Sequence, residues 1–160
     1  MSDDKKLAII ATKGSLDWAY PPFILASTAA ALGYETQIFF TFYGLQLLRK
    51  EMNLKVTSLG NPAMPMPMAM DKWFPTILQA MPGMEAMMSA MMKSKMKSKG
   101  VASVQELRDL CIEAEVKLIG CQMTVDLFDF THDHFIDGVE YGGAATFFEF
   151  AGEADITLFV

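Results

Sequence analysis

The sequence predicts a three-layer α/β/α fold with a mainly parallel sheet of about five strands and an inserted, methionine-rich helical arm. Three observations predict it. Short apolar runs of strand length alternate with helical stretches from the first residues to the last. The first two runs are joined by one helix and short loops, the layout of a right-handed parallel crossover. Between residues 61 and 100 that alternation stops and the composition changes.

Lys6 to Thr12 is a continuous apolar run, as in a strand covered on both faces. The turn Thr12, Lys13, Gly14, Ser15 leads into a helix capped by Ser15 or Asp17. Pro21 and Pro22 mark either a delayed start or its first turn, and Gly33 stops it. Glu35 to Thr41 is the second strand and Leu45 to Lys50 a short helix. Lys55 to Leu59 reads as a weak third strand, closed by Gly60 and Pro62.

The arm holds 11 of the 14 methionines, between Met64 and Met96, together with Pro62, Pro65, Pro67, Pro75 and Pro82. Alternating Pro and Met at 65 to 68 excludes helix there, because proline removes a donor and disfavours helix at the residue before it. After Gly83 the pattern changes. Met84, Met87, Met88, Met91 and Met92 fall at helical spacing, and Lys93, Lys95, Lys97 and Lys99 crowd the end where a helix dipole favours cations.

The ordinary alternation then resumes. Ser103 with Glu106 forms a capping box for a helix whose apolar stripe is Val104, Leu107, Leu110, Cys111 and Ala114. Val116 to Gly120 is a strand, and Thr124 to Asp129 opens another helix. Residues 130 to 135 are irregular, and Asp137 to Tyr141 is a strand or a connection. Gly143 to Ala151 is helical, and Asp155 to Val160 is the closing strand. The whole reads as a single domain, 1 to 160, with its insertion at 61 to 100.

A chain of 160 residues buries roughly 70% of its unfolded surface and forms a core without staples. The 52% hydrophobic content and mean hydropathy of +0.24 raise the question of a membrane span. Long charge-free runs such as Trp18 to Tyr34, Val56 to Met70 and Trp73 to Met84 fall short of the ~20 apolar residues a span needs. The start is acidic rather than basic and then apolar, which predicts a cytoplasmic protein. A net charge of -6 excludes general nucleic-acid binding. Two cysteines without a paired CxxC supply neither a zinc site nor a disulfide framework.

Cys121 carries the chemical argument. It ends an apolar strand, and ligands meet open α/β sheets at the carboxyl ends of strands. A helix beginning just after it would hold the thiolate with backbone N–H groups. Cys111, on the apolar stripe of its helix, is expected in the core and not as a disulfide partner. Lys13 lies on the same sheet edge as Cys121, suited to an anionic group or a polysulfide near the thiolate, with the amides of Gly14 and Ser15 as an anion nest. The spacing of glycines there is not that of a phosphate loop. Asp126, Asp129, His132, Asp133 and His134 lack the spacing of a metal site and are expected to form a solvated loop or an oligomer contact. No cofactor or metal is expected. The methionine arm suits a core or subunit interface, an anionic membrane surface contacted peripherally, or thioether copper binding, in that order.

The layout resembles the DsrE/DsrF-like sulfur-relay family, in the DsrE-related branch with a Met-rich insertion that is sometimes labelled peroxiredoxin-like. The matching residues are Thr12, Lys13 and Gly14 after the opening strand, Gly120, Cys121, Gln122 and Met123 after a late strand, Tyr141, Gly142 and Gly143 before the last helix, and Ala154 with Asp155 before the closing strand. The resemblance spans the chain except the methionine arm. It implies a sulfur carrier or sulfurtransferase with a persulfide on Cys121, exchanged with a TusA-like or rhodanese-like donor or acceptor protein. It also implies a homo-oligomer, a trimer or hexamer, around a five-stranded parallel sheet. The alternative is a non-catalytic oligomeric protein that assembles through the Met-rich arm. A thiol peroxidase is the outsider, because the only arginines are Arg49 and Arg108 and neither lies near Cys121 in the sequence.

Overall fold

The computed structural model describes residues 5–60, 73 and 75–160. They divide into two compact units, one formed by the chain up to Gly14 with Trp18–Asn53 and Val104–Val160, the other by Ser15–Asp17 with Leu54–Ser103.

The first unit is built on strands β1 (Lys6–Ala11), β2 (Glu35–Phe40), β3 (Lys117–Cys121), β4 (Glu140–Gly142) and β5 (Ile156–Phe159). They form one sheet in the order β4-β3-β2-β1-β5, with every pair parallel. All five carboxyl ends therefore share one edge. The unbroken apolar runs have the consequence expected of them: β2 and β3 are buried at every position after the first. On one face Ala8, Phe39, Ile119 and Cys121 pack with Phe147 of helix α6 (Ala144–Ala151). On the other, the Phe40 ring lies 5.9 Å from that of Phe23 in α1 (Leu16–Ala31). Cys111 of α4 (Val104–Glu113) donates its S–H to the Phe23 carbonyl. Helices on both faces complete three layers. Each large apolar side chain so buried contributes about 1.5–3 kcal/mol, so this core, rather than the helices' own propensity, fixes the edge that carries Cys121.

Three local features differ from expectation. Helix α1 starts at Leu16, which puts Pro21 and Pro22 in its second turn rather than its first; they deny the Asp17 and Trp18 carbonyls their helical donors. The short helix after β2 is a 3₁₀ segment, Phe42–Leu48, beginning three residues earlier than Leu45. It follows directly on Thr41 because Phe42 turns the chain with φ 48° and Gly44 settles onto β1: a Cβ on Gly44 would lie 2.1 Å from the Ala11 carbonyl oxygen. Arg108 closes its far end, with Nη1 donating to the carbonyls of Leu47 at 3.0 Å and Arg49 at 2.9 Å.

The third difference corrects a strand. Lys55 to Leu59 forms none, because its backbone groups are taken elsewhere within the second unit. The Val56 amide donates to Ser89 Oγ at 2.9 Å, the Thr57 amide to Asp17 Oδ1 at 2.8 Å, and the Lys55 carbonyl accepts from the Leu16 amide at 2.7 Å. The sheet instead takes Glu140–Gly142, β4, as its remaining strand.

The second unit carries α2 (Thr76–Gln79) and α3 (Met84–Ser98). The latter opens after Gly83, whose φ of 94° only glycine adopts freely. Met88 is buried, Met87 and Met91 are exposed, and Lys95 and Lys97 sit in the last turn. The Pro and Met alternation at 65 to 68 lies outside the described residues. Among those described, no helix is long and apolar enough to cross a membrane.

Candidate functional site

Cys121 ends β3 and caps α5 (Gln122–Leu127), which starts at the next residue, two residues earlier than Thr124. The tight passage from strand to helix turns the first amides of α5 toward the sulfur. Burial pushes the Cys121 thiol up, but the Thr124 hydroxyl and amide, the Thr41 hydroxyl and the Met123 amide donate to the sulfur and hold its pKa below the ordinary thiol value. The hydrogen bonds outweigh burial, so the thiolate of this recessed group, only 5% exposed, is stabilised relative to that of an ordinary thiol.

Thr41 and Thr124 are not among the residues the sequence singles out. Thr124 is fully buried, its hydroxyl 3.3 Å from that of Thr41 and accepting from the Phe42 amide at 3.3 Å. The available signals were positional: Thr41 ends the β2 run, and Thr124 is three residues past the cysteine. On the other side, Gly120 lets the Tyr141 ring stand against the strand, since a Cβ there would meet ring carbons at 3.3 Å. The His132 imidazole stacks on Tyr141 with centroids 3.7 Å apart and planes at 2°. His132 Nε2 is 3.1 Å from Gln122 Oε1, and Gln122 Nε2 donates to Asp126 at 2.7 Å. This chain fastens the residue after Cys121 to the β4 side of the edge.

The remaining sequence candidates fall as follows. Lys13 follows β1 on the same edge, two strands from β3, with its Nζ 3.2 Å from the centre of the Trp18 ring. A Cβ on Gly14 would lie 2.3 Å from the Tyr43 carbonyl oxygen, so that glycine serves close packing. Asp126 and His132 join the Gln122 chain, whereas the His134 Nδ1 accepts from the Thr131 amide at 3.1 Å. Among the described residues no three His, Cys, Asp or Glu side chains converge as a metal site requires. Cys111 is fully buried and its thiol is pushed up to about 11 by desolvation, against a backbone hydrogen bond from Ser27. The sheet lies between the two thiols, Cys111 toward α1 and Cys121 toward α6. Neither arginine faces the cysteine: Arg108 is bound to two carbonyls, and the Arg49 guanidinium lies over the Phe130 ring at 5.6 Å.

Residues 3–159 match the model of the DsrE/DsrF/DrsH-like family. The chain belongs to this family. Within it, 158 residues are 77% identical to the Sulfur carrier protein DsrE2 of Allochromatium vinosum, covering 99% of both chains. The chain is also 31% identical to the protein YrkE of Bacillus subtilis over 159 residues, covering 98% of this chain and 97% of that one. The crystal structure of the ychN protein from E. coli superimposes with a TM-score of 0.55 over 98% of this chain and 99% of that one. At 13% identity, that likeness shows the fold alone: the five-stranded parallel α/β sheet expected of the family.

Proposed function

We propose that the protein is a sulfur carrier that takes up and passes on sulfane sulfur as a persulfide on Cys121. The observation that carries this reading is the place of Cys121 at the carboxyl end of β3 and the start of α5, on the edge where ligands meet α/β folds, with the hydroxyls of Thr41 and Thr124 and the first amides of α5 lowering its pKa. The 77% identical relative with a sulfur carrier's name supports it. In the reaction the thiolate attacks the terminal sulfur of a donor persulfide R–S–SH. A Cys121 S–S bond forms, the donor S–S bond breaks, the proton stays on the transferred sulfur, and R–S⁻ leaves. Handing on reverses the roles. The same donors that hold the Cys121 thiolate make it a good leaving group, so they assist both directions.

Cys111, on the opposite side of the sheet, offers no resolving thiol, which favours carrying sulfur over disulfide exchange. Both arginines are engaged elsewhere, which favours a carrier over a thiol peroxidase. Lys13 supplies the cation of the same edge, and a TusA-like or rhodanese-like cytoplasmic protein is the exchange partner. Loading with inorganic polysulfide followed by cold cyanolysis tests this reading. One thiocyanate per chain that vanishes in Cys121→Ser is the expected result, and an unchanged yield in that variant would sink it.

A second reading also has an observation behind it. The second unit exposes Trp73, Ile77, Leu78, Met81, Met87 and Met91. Such a surface suits assembly into a homo-oligomer, a trimer or hexamer, or peripheral contact with an anionic membrane through the arm and its lysines. Sedimentation and liposome flotation, with and without residues 62 to 99, separate these outcomes.

A further inference from the structure

Phe42 holds a backbone conformation that its own side chain opposes. Its φ of 48° lies in the left-handed region, where a bulky residue is crowded and glycine or asparagine is the usual occupant. The ring is 45% exposed, so packing offsets little of that strain. What the backbone gains is one hydrogen bond. Thr41 is extended, with φ −131° and ψ 158°, and its amide is held by the Ala11 carbonyl at 3.1 Å. It carries the direction of β2 one residue further, so the next amide, that of Phe42, reaches across to Thr124 Oγ1 at 3.3 Å. The chain must then turn at once, because the Gly44 amide donates to the Thr41 carbonyl at 3.0 Å and Gly44 itself lies against Ala11. A positive φ at Phe42 reconciles the two demands.

Thr124 is fully buried, so its hydroxyl must find its partners within the protein. Three groups surround that oxygen: the Phe42 amide, the Thr41 hydroxyl 3.3 Å away and the Cys121 sulfur. An amide N–H can only donate. It fills one lone pair of the Thr124 oxygen, leaves the hydroxyl proton to be given elsewhere, and polarises the O–H that gives it. Without the amide, the Thr124 oxygen would draw the Thr41 proton, and the two hydroxyls would satisfy each other rather than the sulfur. With it, both protons are available to Cys121, whose pKa both hydroxyls lower against burial.

We propose that Phe42 is a positioning residue for sulfur transfer: its left-handed backbone keeps its amide on Thr124 Oγ1, and that bond turns the Thr124 hydroxyl toward the Cys121 sulfur. The proposal rests on Cys121 as the persulfide site. Transfer uses the positioned hydroxyl twice. Cys121 S⁻ is the attacking group when Cys121 S⁻ and R–S–SH give Cys121 S–SH and R–S⁻, and it is the leaving group when an acceptor thiolate takes the outer sulfur. The ring of residue 42 plays no part in this; the ability of that residue to hold a positive φ does.

The test compares full-length variants that differ in that ability. Asparagine and glycine adopt the left-handed region, whereas a β-branched residue resists it. The pH dependence of iodoacetamide alkylation of Cys121, followed by intact mass, should therefore keep its midpoint in Phe42→Asn and Phe42→Gly. In Phe42→Val the midpoint should move upward, with alkylation at neutral pH roughly threefold slower. In a Thr124→Val background Phe42→Val should add nothing, because the hydroxyl it acts through is gone. A measurement on the wild type needs no variant at position 42 to fold: the Phe42 amide proton resonance should titrate with the Cys121 midpoint and lose that titration in Thr124→Val. Equal shifts in Phe42→Asn and Phe42→Val would assign the effect to the ring and overturn the proposal. An unshifted Phe42→Val, a full further shift on Thr124→Val, or an amide resonance indifferent to Cys121 would overturn it as well. Sulfur gain from a peptide persulfide, measured on the same samples, keeps the two readings apart. No gain on Cys121 in the wild type sinks the carrier reading, and the purpose given to Phe42 with it; normal gain with a flat series at position 42 sinks the positioning role alone.

Discussion

Thr41 and Thr124, 83 residues apart in the sequence, bring their hydroxyl oxygens to within 3.3 Å of each other beside the Cys121 sulfur. One ends the run of β2 and the other lies in the first turn of α5, so the parallel register of β2 and β3 sets their meeting. Phe40 pairs with Gly120, and the next residues along, Thr41 and Cys121, emerge side by side at the edge.

Thr124→Val keeps the shape of that side chain but removes a donor to the sulfur. The Cys121 pKa should rise, because burial then acts against one hydrogen bond fewer. The rate of iodoacetamide alkylation measured against pH should show a midpoint shifted upward and a several-fold lower rate at neutral pH. Thr41→Val should act in the same direction. An unchanged profile in both variants would remove the hydroxyls from the account of reactivity.

Cys111 should remain unmodified in the native protein and react only after unfolding, since it is fully buried and its thiol is pushed up to about 11. The sign of its effect on stability follows. A folded-state pKa above the unfolded value gives a contribution that is complete at lower pH and is lost as pH rises from about 9 through about 11. Urea midpoints across that window should fall more steeply for the wild type than for Cys111→Ala.

Gly44→Ala should destabilise the chain by roughly 1–3 kcal/mol, because the new methyl would meet the Ala11 carbonyl oxygen and the backbone must move to admit it. The 3₁₀ segment starts beside Thr41, so Cys121 alkylation at neutral pH should slow as well. Denaturant unfolding and alkylation rates check the two halves separately.

Lys13→Met tests the cation at the end of β1. Loading by inorganic polysulfide should slow several-fold, while loading by an uncharged peptide persulfide should be unaffected. Polysulfide rates equal to the wild type would place Lys13 outside the site and leave it as the partner of the Trp18 ring.

The fold was legible where a local pattern decides it. The apolar runs of β1, β2 and β3 and the Gly83 start of α3 need no distant partner to be recognised. Lys55 to Leu59 has the composition of a strand, but the side chains of Asp17 and Ser89 supply the acceptors that a neighbouring strand would have supplied. Glu140–Gly142 is only three residues long and pairs with β3 alone, too brief for alternation to show. The site divides in the same way. The position of Cys121 at a strand end was legible from the apolar run before it, but the nearness of Thr41 to it was not, because that exists only once β2 and β3 are in register. Tyr141 stood within the matching Tyr141, Gly142, Gly143 motif, yet its stack with His132 depends on the loop between them.

The central claim is that Cys121 carries one sulfur and gives it up. Intact-mass spectrometry tests it most directly, on wild type, Cys111→Ala and Cys121→Ser after incubation with a peptide persulfide, removal of excess donor and addition of an acceptor thiol. Wild type and Cys111→Ala should gain one sulfur atom and lose it again to the acceptor, while Cys121→Ser gains none. A sulfur gain that persists in Cys121→Ser, or no gain in the wild type, would contradict the account.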